Sequence, residues 1–261
     1  MTPEQAAILF LTPRREAATD NHPPFDGASG DTTDFEGAAL VSWQAGAGPT
    51  VLLVHGWEAS AGAFKRFVPP LVAAGYRVVA IDLPAHGRSA GSRTSIVDGA
   101  RAVRQLTEHL GPVHAIVAHS IGCAIAVEAM KAGASANAAV LIAPPARYRD
   151  YASAFAMQAG LSTDDAKQMV AHLLALGVDV ASVDTPRAVQ AFGTRALIVH
   201  SEDDRVVPVS QGREIAAAWP GARFVAVNGL GHRRILDADE VIDAAVTFIQ
   251  APRNEPRGLE S

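Results

Sequence analysis

The stretch IVAHSIGCAIA, Ile116 to Ala126, sets a single serine where an apolar run gives way to small residues. A core strand gains nothing from a hydroxyl there, whereas a nucleophile displayed at a strand end needs one. A sharp strand-to-helix turn can hold such a serine in a strained backbone conformation with its Oγ exposed. Small residues are then needed two before and two after it, because strand and helix pass close together. Ala118 and Gly122 occupy those places, and Ala124 and Ala126 keep the following helix slim. The helix N-terminus also directs backbone N–H groups and positive dipole at this point, which suits a developing oxyanion. The same serine would serve equally as an N-cap for a helix opening at Ile121, so these residues alone leave both readings open.

Outward from that motif, strand and helix signals alternate. TVLLVH (Thr50–His55) is a near-continuous apolar run, as expected of a strand covered on both faces. A helix is expected over Ala61–Ala74, ended by Gly75, then a strand over Arg77–Asp82 and a helix over Ile96–Leu110 closed by Gly111-Pro112. Val113–Ala118 leads into the serine, and a small-residue helix runs on to about Lys131. Ala138–Ala143, Ala196–His200 and Arg223–Val227 read as further strands, with helices over Val209–Trp219 and Glu240–Ile249. Such alternation predicts an α/β fold: a mostly parallel central sheet with right-handed crossovers and helices on both faces. Ligands in these sheets bind beyond the carboxyl ends of the strands.

One segment breaks the rhythm. Between Ala143 and Ala196 there is no strand signal, only two helical pieces, one ending at Gly160 and one starting from Ser162 as N-cap and stopping at Gly177. A long insertion at the functional edge of a sheet points to a lid or binding element. The chain therefore divides into an N-terminal extension packed loosely on the domain (1–37), a first core part (38–144), a helical cap insertion (145–190) and a second core part (191–261).

The remaining chemistry is sought after the other strands, since a serine needs a base and the base an orienting acid. NGLGHRR follows the last strand and carries His232 just after Gly229 and Gly231; SEDDRVVP follows the strand before it and offers both Asp203 and Asp204. HGWE follows the first strand, where a tight turn at Gly56 leaves the Trp57 N–H free to face the same region as the Ile121 N–H. Two such donors make an oxyanion hole, each typically contributing about 3 kcal/mol to the transition state.

The totals set bounds. The chain has 261 residues, 49% apolar and 19% charged, enough for a sizeable α/β core, and its net charge of −5 gives no reason to expect nucleic acid as a partner. A single cysteine, Cys123, forbids an intramolecular disulfide and fits a reducing compartment. No apolar run has the length of a membrane span, and the N-terminal AAILFL follows Glu4 rather than a basic region, a poor signal peptide. A cytoplasmic protein acting on a small molecule is expected, without a membrane partner. His55, His86, His119 and His200 lack metal-ligand spacing and no Gly-rich phosphate loop follows a strand, so neither metal nor nucleotide cofactor is implied.

Taken together, these residues resemble the α/β-hydrolase superfamily from roughly Leu40 to Ile249. His55-Gly56-Trp57 matches the oxyanion loop, Ser120 the nucleophile elbow, Asp204 the acid turn (Asp204 to Pro208) and His232 a G-x-G-H loop, in the chain order serine, acid, histidine. DLPAHGRS (Asp82–Ser89) is similar to the stretch that follows the second core strand in that superfamily. The departures are Ala118 at the first elbow position, Cys123 where a second glycine is common, and Ser201 in place of a frequent glycine, the last with no evident consequence. The resemblance implies a Ser120-Asp204-His232 triad and favours Asp204 over Asp203. It also implies hydrolysis of a small to medium carboxylic ester through an acyl-enzyme, and no cofactor. A C–C bond, lactone or thioester hydrolase on the same triad is the alternative; a slow or non-catalytic ligand-binding sensor is the rival from another class. His119, Tyr148, Tyr151 and Phe155 are candidate pocket residues, each also explicable as packing.

Overall fold

The computed structural model describes residues 1–15 and 23–252. In chain order its elements are α1 (Pro3–Phe10), β1 (Ser29–Phe35), β2 (Ala38–Ala45), β3 (Thr50–Val54), α2 (Val68–Ala73), β4 (Arg77–Ile81), α3 (Ile96–Leu110), β5 (Val113–His119) and α4 (Ile121–Lys131). They continue with β6 (Ala136–Ile142), α5 (Tyr148–Gln158), α6 (Thr163–Ala175), α7 (Thr185–Val189), β7 (Arg195–Ser201), α8 (Val209–Ala218), β8 (Arg223–Val227), α9 (Gly231–Arg234) and α10 (Asp239–Gln250). The strands form one eight-stranded sheet in the order β1-β2-β4-β3-β5-β6-β7-β8. β1, β2 and β4 pair antiparallel, and from β4 to β8 every pairing is parallel.

Strands β3, β5 and β6 are apolar on both sides because both sides are covered. Leu52, Val54, Ile116, Ala118 and Leu141 face the layer that contains α3 and α4. Val51, Leu53, Val117, Val140 and Ile142 face the opposite layer, with Leu71 of α2 and Phe248 of α10. The expected two-sided α/β architecture is present, and among the described residues no helix is long and apolar enough to cross a membrane.

Three local expectations are corrected. The helix expected over Ala61–Ala74 is a 3₁₀ turn over Ala61–Phe64 followed by the separate α2. Pro69 and Pro70 have no N–H to give to a continuous helix, so they fall in the first turn of a new one. The antiparallel pair β1–β2, which the apolar pattern did not announce, turns through Glu36 and Gly37, both at positive φ (52° and 80°), the geometry that matches hairpin twist.

The third concerns the first 37 residues. Those described are not loosely packed: Thr2 and Gln5 form a capping box for α1, which buries Ala6, Ala7 and Phe10, and β1 is a strand of the sheet. Residues 16–22 of that extension, and 253–261 at the other end, lie outside the described residues. Between β6 and β7 the chain is helical, as expected, and Ser162 caps α6 by accepting from the Asp165 N–H. The short α7, capped by Asp184, was not foreseen.

Candidate active site

Ser120 sits between β5 and α4 with φ 54° and ψ −130°, a conformation costing a non-glycine residue about 1–3 kcal/mol. Its N–H donates to Ile142 O at 2.9 Å, tying the turn to β6. The space around it explains the small neighbours. A Cβ on Gly122 would lie 2.4 Å from His55 O and 2.5 Å from Val54 O, so β3 and α4 touch there. Cys123 is fully buried, its thiol donating to Ala118 O and pushed up by burial, a packing role. The Ser120 hydroxyl makes no cap bond to α4, which disposes of the N-cap reading.

That hydroxyl instead lies 2.9 Å from His232 Nε2, and His232 Nδ1 lies 2.7 Å from Asp204 Oδ2. Asp204 is 8% exposed. Its burial works against the charge, but hydrogen bonds from His200, His232 and the Val207 N–H outweigh it and hold the carboxyl well below the usual carboxylate range. Its Oδ1 accepts from the Val206 and Val207 N–H groups at 2.8 and 2.9 Å. An ionised carboxylate can only accept, so His232 Nδ1–H donates to it, and in the neutral ring Nε2 is the nitrogen that accepts from the Ser120 hydroxyl. Asp203 points elsewhere, accepting from the Ser201 hydroxyl and from the Gly231 N–H.

His232 lies not on an open loop but on the short helix α9, between glycines at positive φ on one side and Arg233 on the other. Ser201, for which no consequence was evident, and His119, a candidate pocket residue, hold that helix. Ser201 Oγ accepts from the N–H groups of Leu230 and Gly231 at 3.3 and 3.2 Å. His119, 5% exposed and held neutral by burial that brings its pKa down to about 3, donates Nε2–H to the His232 carbonyl at 2.8 Å. Its ring also lies against the His232 ring, centroids 4.9 Å apart.

The turn after β3 is oriented by His55. Burial first, and then the nearby His86, lower its pKa to about 3, and the neutral ring uses each nitrogen once. Nδ1–H donates to Gly56 O at 2.7 Å, and Nε2 accepts from the Leu83 N–H at 3.0 Å. In a trans peptide the C=O and N–H point oppositely. Fixing the Gly56 carbonyl toward His55 therefore turns the Trp57 N–H the other way. A Cβ on Gly56 would stand 3.0 Å from Ser120 Cβ, so this turn rests directly against the serine. Ile121 is the first residue of α4, where an N–H has no partner within the helix.

Trp57, Ser120, Ile121, His119 and His232 open onto a cavity of about 980 Å³, which Tyr148 and Tyr151 also line. Phe155 is not among the described residues lining it; its ring packs on Phe10 at 5.2 Å between centroids. Elsewhere in the insertion Met169 and Leu173 are buried in the core, whereas Met157 is exposed. Among the described residues no group of three or more His, Cys, Asp or Glu is placed to hold a metal ion.

A model described as "Alpha/beta hydrolase family" matches residues 51–244. The chain is 26% identical over 250 residues to the pimeloyl-[acyl-carrier protein] methyl ester esterase of Xanthomonas campestris, covering 79% of this chain and 97% of that protein. It is 30% identical over 234 residues to a 2-hydroxy-6-oxononadienedioate/2-hydroxy-6-oxononatrienedioate hydrolase of Cupriavidus pinatubonensis, covering 70% and 80%. A shorter match, 40% identical over 85 residues, spans 31% of this chain and 30% of the length of the magnesium-chelatase 30 kDa subunit of Rhodobacter capsulatus. Among solved structures, an esterase from Exiguobacterium antarcticum superposes with a TM-score of 0.67 at 18% identity, covering 83% of this chain and 97% of that one.

Proposed function

The chain belongs to the alpha/beta hydrolase family, and from that premise we propose that it is a serine hydrolase cleaving a small to medium carboxylic ester. The observation that carries the proposal is the unbroken hydrogen-bonded path from Ser120 Oγ through His232 to Asp204 at the wall of the cavity. In this reading Ser120 attacks the acyl carbon while His232 Nε2 takes its proton. The Trp57 and Ile121 N–H groups receive the oxyanion. Asp204 holds the tautomer and stabilises the imidazolium. His232 then protonates the leaving alcohol, and a water activated in the same way releases the acid.

The ester preference draws on the similarity to a methyl ester esterase, which covers 79% of this chain and 97% of that protein. A second reading, cleavage of a C–C bond by the same three groups, draws on the 30% identical relative named for a dienedioate substrate. A panel of p-nitrophenyl esters of increasing acyl length, run beside a vinylogous diketone, separates the two. Turnover of the esters alone supports the first; turnover of the diketone alone replaces it with the second. A fluorophosphonate tests the nucleophile. One adduct by intact mass, lost in Ser120→Ala, is expected, and no adduct would favour a non-catalytic ligand-binding role.

A further inference from the structure

We propose that residues 3–15 are a specificity strap: they close the cavity from the side opposite the sheet and set the length of substrate chain it admits. The proposal rests on the hydrolase reading of Ser120 and adds to it an element that the triad does not require.

The strap begins as α1, which lies on α5 and α6 and buries Phe10 to 2% exposure. The Phe10 ring stands 5.4 Å from Tyr148, 5.4 Å from Tyr151 and 5.2 Å from Phe155, centroid to centroid. Tyr148 and Tyr151 are the two aromatic rings that line the cavity from the insertion. Phe10 therefore packs behind the cavity wall, in the same core cluster as Ala6, Ala7 and Leu11. Burial pushes the Tyr151 phenol up to about 12, in keeping with a ring held in apolar surroundings.

Beyond α1 the chain is fastened at successive points along the cavity rim. Leu11 O accepts from the Thr94 N–H at 2.8 Å. The Arg15 guanidinium donates to three carbonyls, Ala85 at 2.8 Å, Ser89 at 2.6 Å and Gly91 at 2.7 Å. The Arg14 N–H donates to Glu58 Oε1 at 3.1 Å, beside the oxyanion turn, and Arg14 and Arg15 both line the cavity. One short segment thus joins the insertion, the loop after β4 and the turn after β3. A wall backed by a packed ring recedes when the ring is removed, because neighbours relax part-way into the space left. With its backing gone, the Tyr148–Tyr151 wall should admit a longer chain.

The test uses the full chain with Phe10→Ala and the milder Phe10→Leu, and short-chain (ethyl) and long-chain (octyl) fluorophosphonates. Labelling rates of Ser120 are read by intact mass, so the comparison does not depend on turnover of any ester. In Phe10→Ala the octyl-to-ethyl rate ratio should rise about tenfold, the scale on which an apolar pocket discriminates chain length, with the ethyl rate within about twofold of wild type. Phe10→Leu should fall between. A folded Phe10→Ala with an unchanged ratio would overturn the strap. Should that variant not fold, an unchanged ratio in Phe10→Leu would do the same. Failure of both probes to label the wild type would instead remove the hydrolase reading on which the strap depends.

Discussion

Asp204 Oδ2 lies 2.7 Å from His232 Nδ1, while the adjacent Asp203 bonds the Ser201 hydroxyl and the Gly231 N–H. Two neighbouring carboxylates therefore hold two different parts of one helix, the imidazole and the main chain. Asp204→Asn would present an amide N–H₂ or a neutral oxygen to Nδ1 and release the tautomer. Its kcat should fall about 10⁴-fold, as for the equivalent change in a serine protease. Asp203→Asn keeps an acceptor oxygen for both of its donors and should stay within about tenfold of wild type. Steady-state kinetics of the two variants on one p-nitrophenyl ester decide the matter. The opposite pattern would assign the acid to Asp203.

Ser201 reaches the helix that carries His232 through main-chain hydrogen bonds. Its Oγ accepts from the Leu230 and Gly231 N–H groups and its hydroxyl bonds Asp203, so it anchors the start of α9. Ser201→Ala should lower stability by about 1 kcal/mol, because the Leu230 N–H loses its acceptor while the Gly231 N–H keeps Asp203. It should also lower kcat more than it raises KM, since His232 is displaced rather than the cavity reshaped. A urea melt and a kcat/KM split check both parts. Unchanged kcat with the expected loss of stability would leave Ser201 a purely structural residue.

Much of this was legible before any coordinates. β3, β5 and β6 announce themselves because strands buried on both faces are continuously apolar, and the groups after them stand at strand ends where parallel sheets place chemistry. Ser120, His232 and Asp204 stand within hydrogen-bonding distance in that order. β1 was not legible: it reads SGDTTDF and only Phe35 in it is buried, so an exposed edge strand carries almost no apolar signal. α1 was hidden for another reason. AAILFL looks like an isolated apolar patch until its partners, Tyr148, Tyr151 and Phe155, are known, and they lie more than a hundred residues away. The roles of Ser201, His119 and His55 were hidden likewise. Each is expressed as a hydrogen bond to main chain, and main-chain groups leave no mark on a sequence.

Gly122 is a packing requirement rather than a matter of backbone freedom. A methyl group there would stand 2.4 Å from His55 O and 2.5 Å from Val54 O, at the end of β3, and neither can give way because both are backbone. Gly122→Ala should destabilise the fold by about 3 kcal/mol or more, at the upper end of overpacking costs. It should also abolish phosphonate labelling of Ser120. A variant with near-normal melting temperature would show that β3 and α4 can separate, and that the elbow is looser than its contacts suggest.

The last prediction concerns acid. Asp204 is held below its unfolded value of 3.8 by the hydrogen bonds that outweigh its burial. A carboxylate depressed in the folded state binds its proton more weakly there than in the unfolded chain. The stability this supplies is complete above the unfolded value and disappears as pH falls through the folded one. Asn at 204 does not titrate, so Asp204→Asn removes the carboxyl's own proton from the comparison. At about pH 5, above the unfolded value, wild type should be the more stable by urea midpoints. Below about pH 4 the difference should shrink as the unfolded chain gains a proton that the folded chain refuses. A difference that stays flat to pH 3, or widens below pH 4, would mean that the buried carboxyl is not held ionised, and the proton assignment on His232 would have to be reversed.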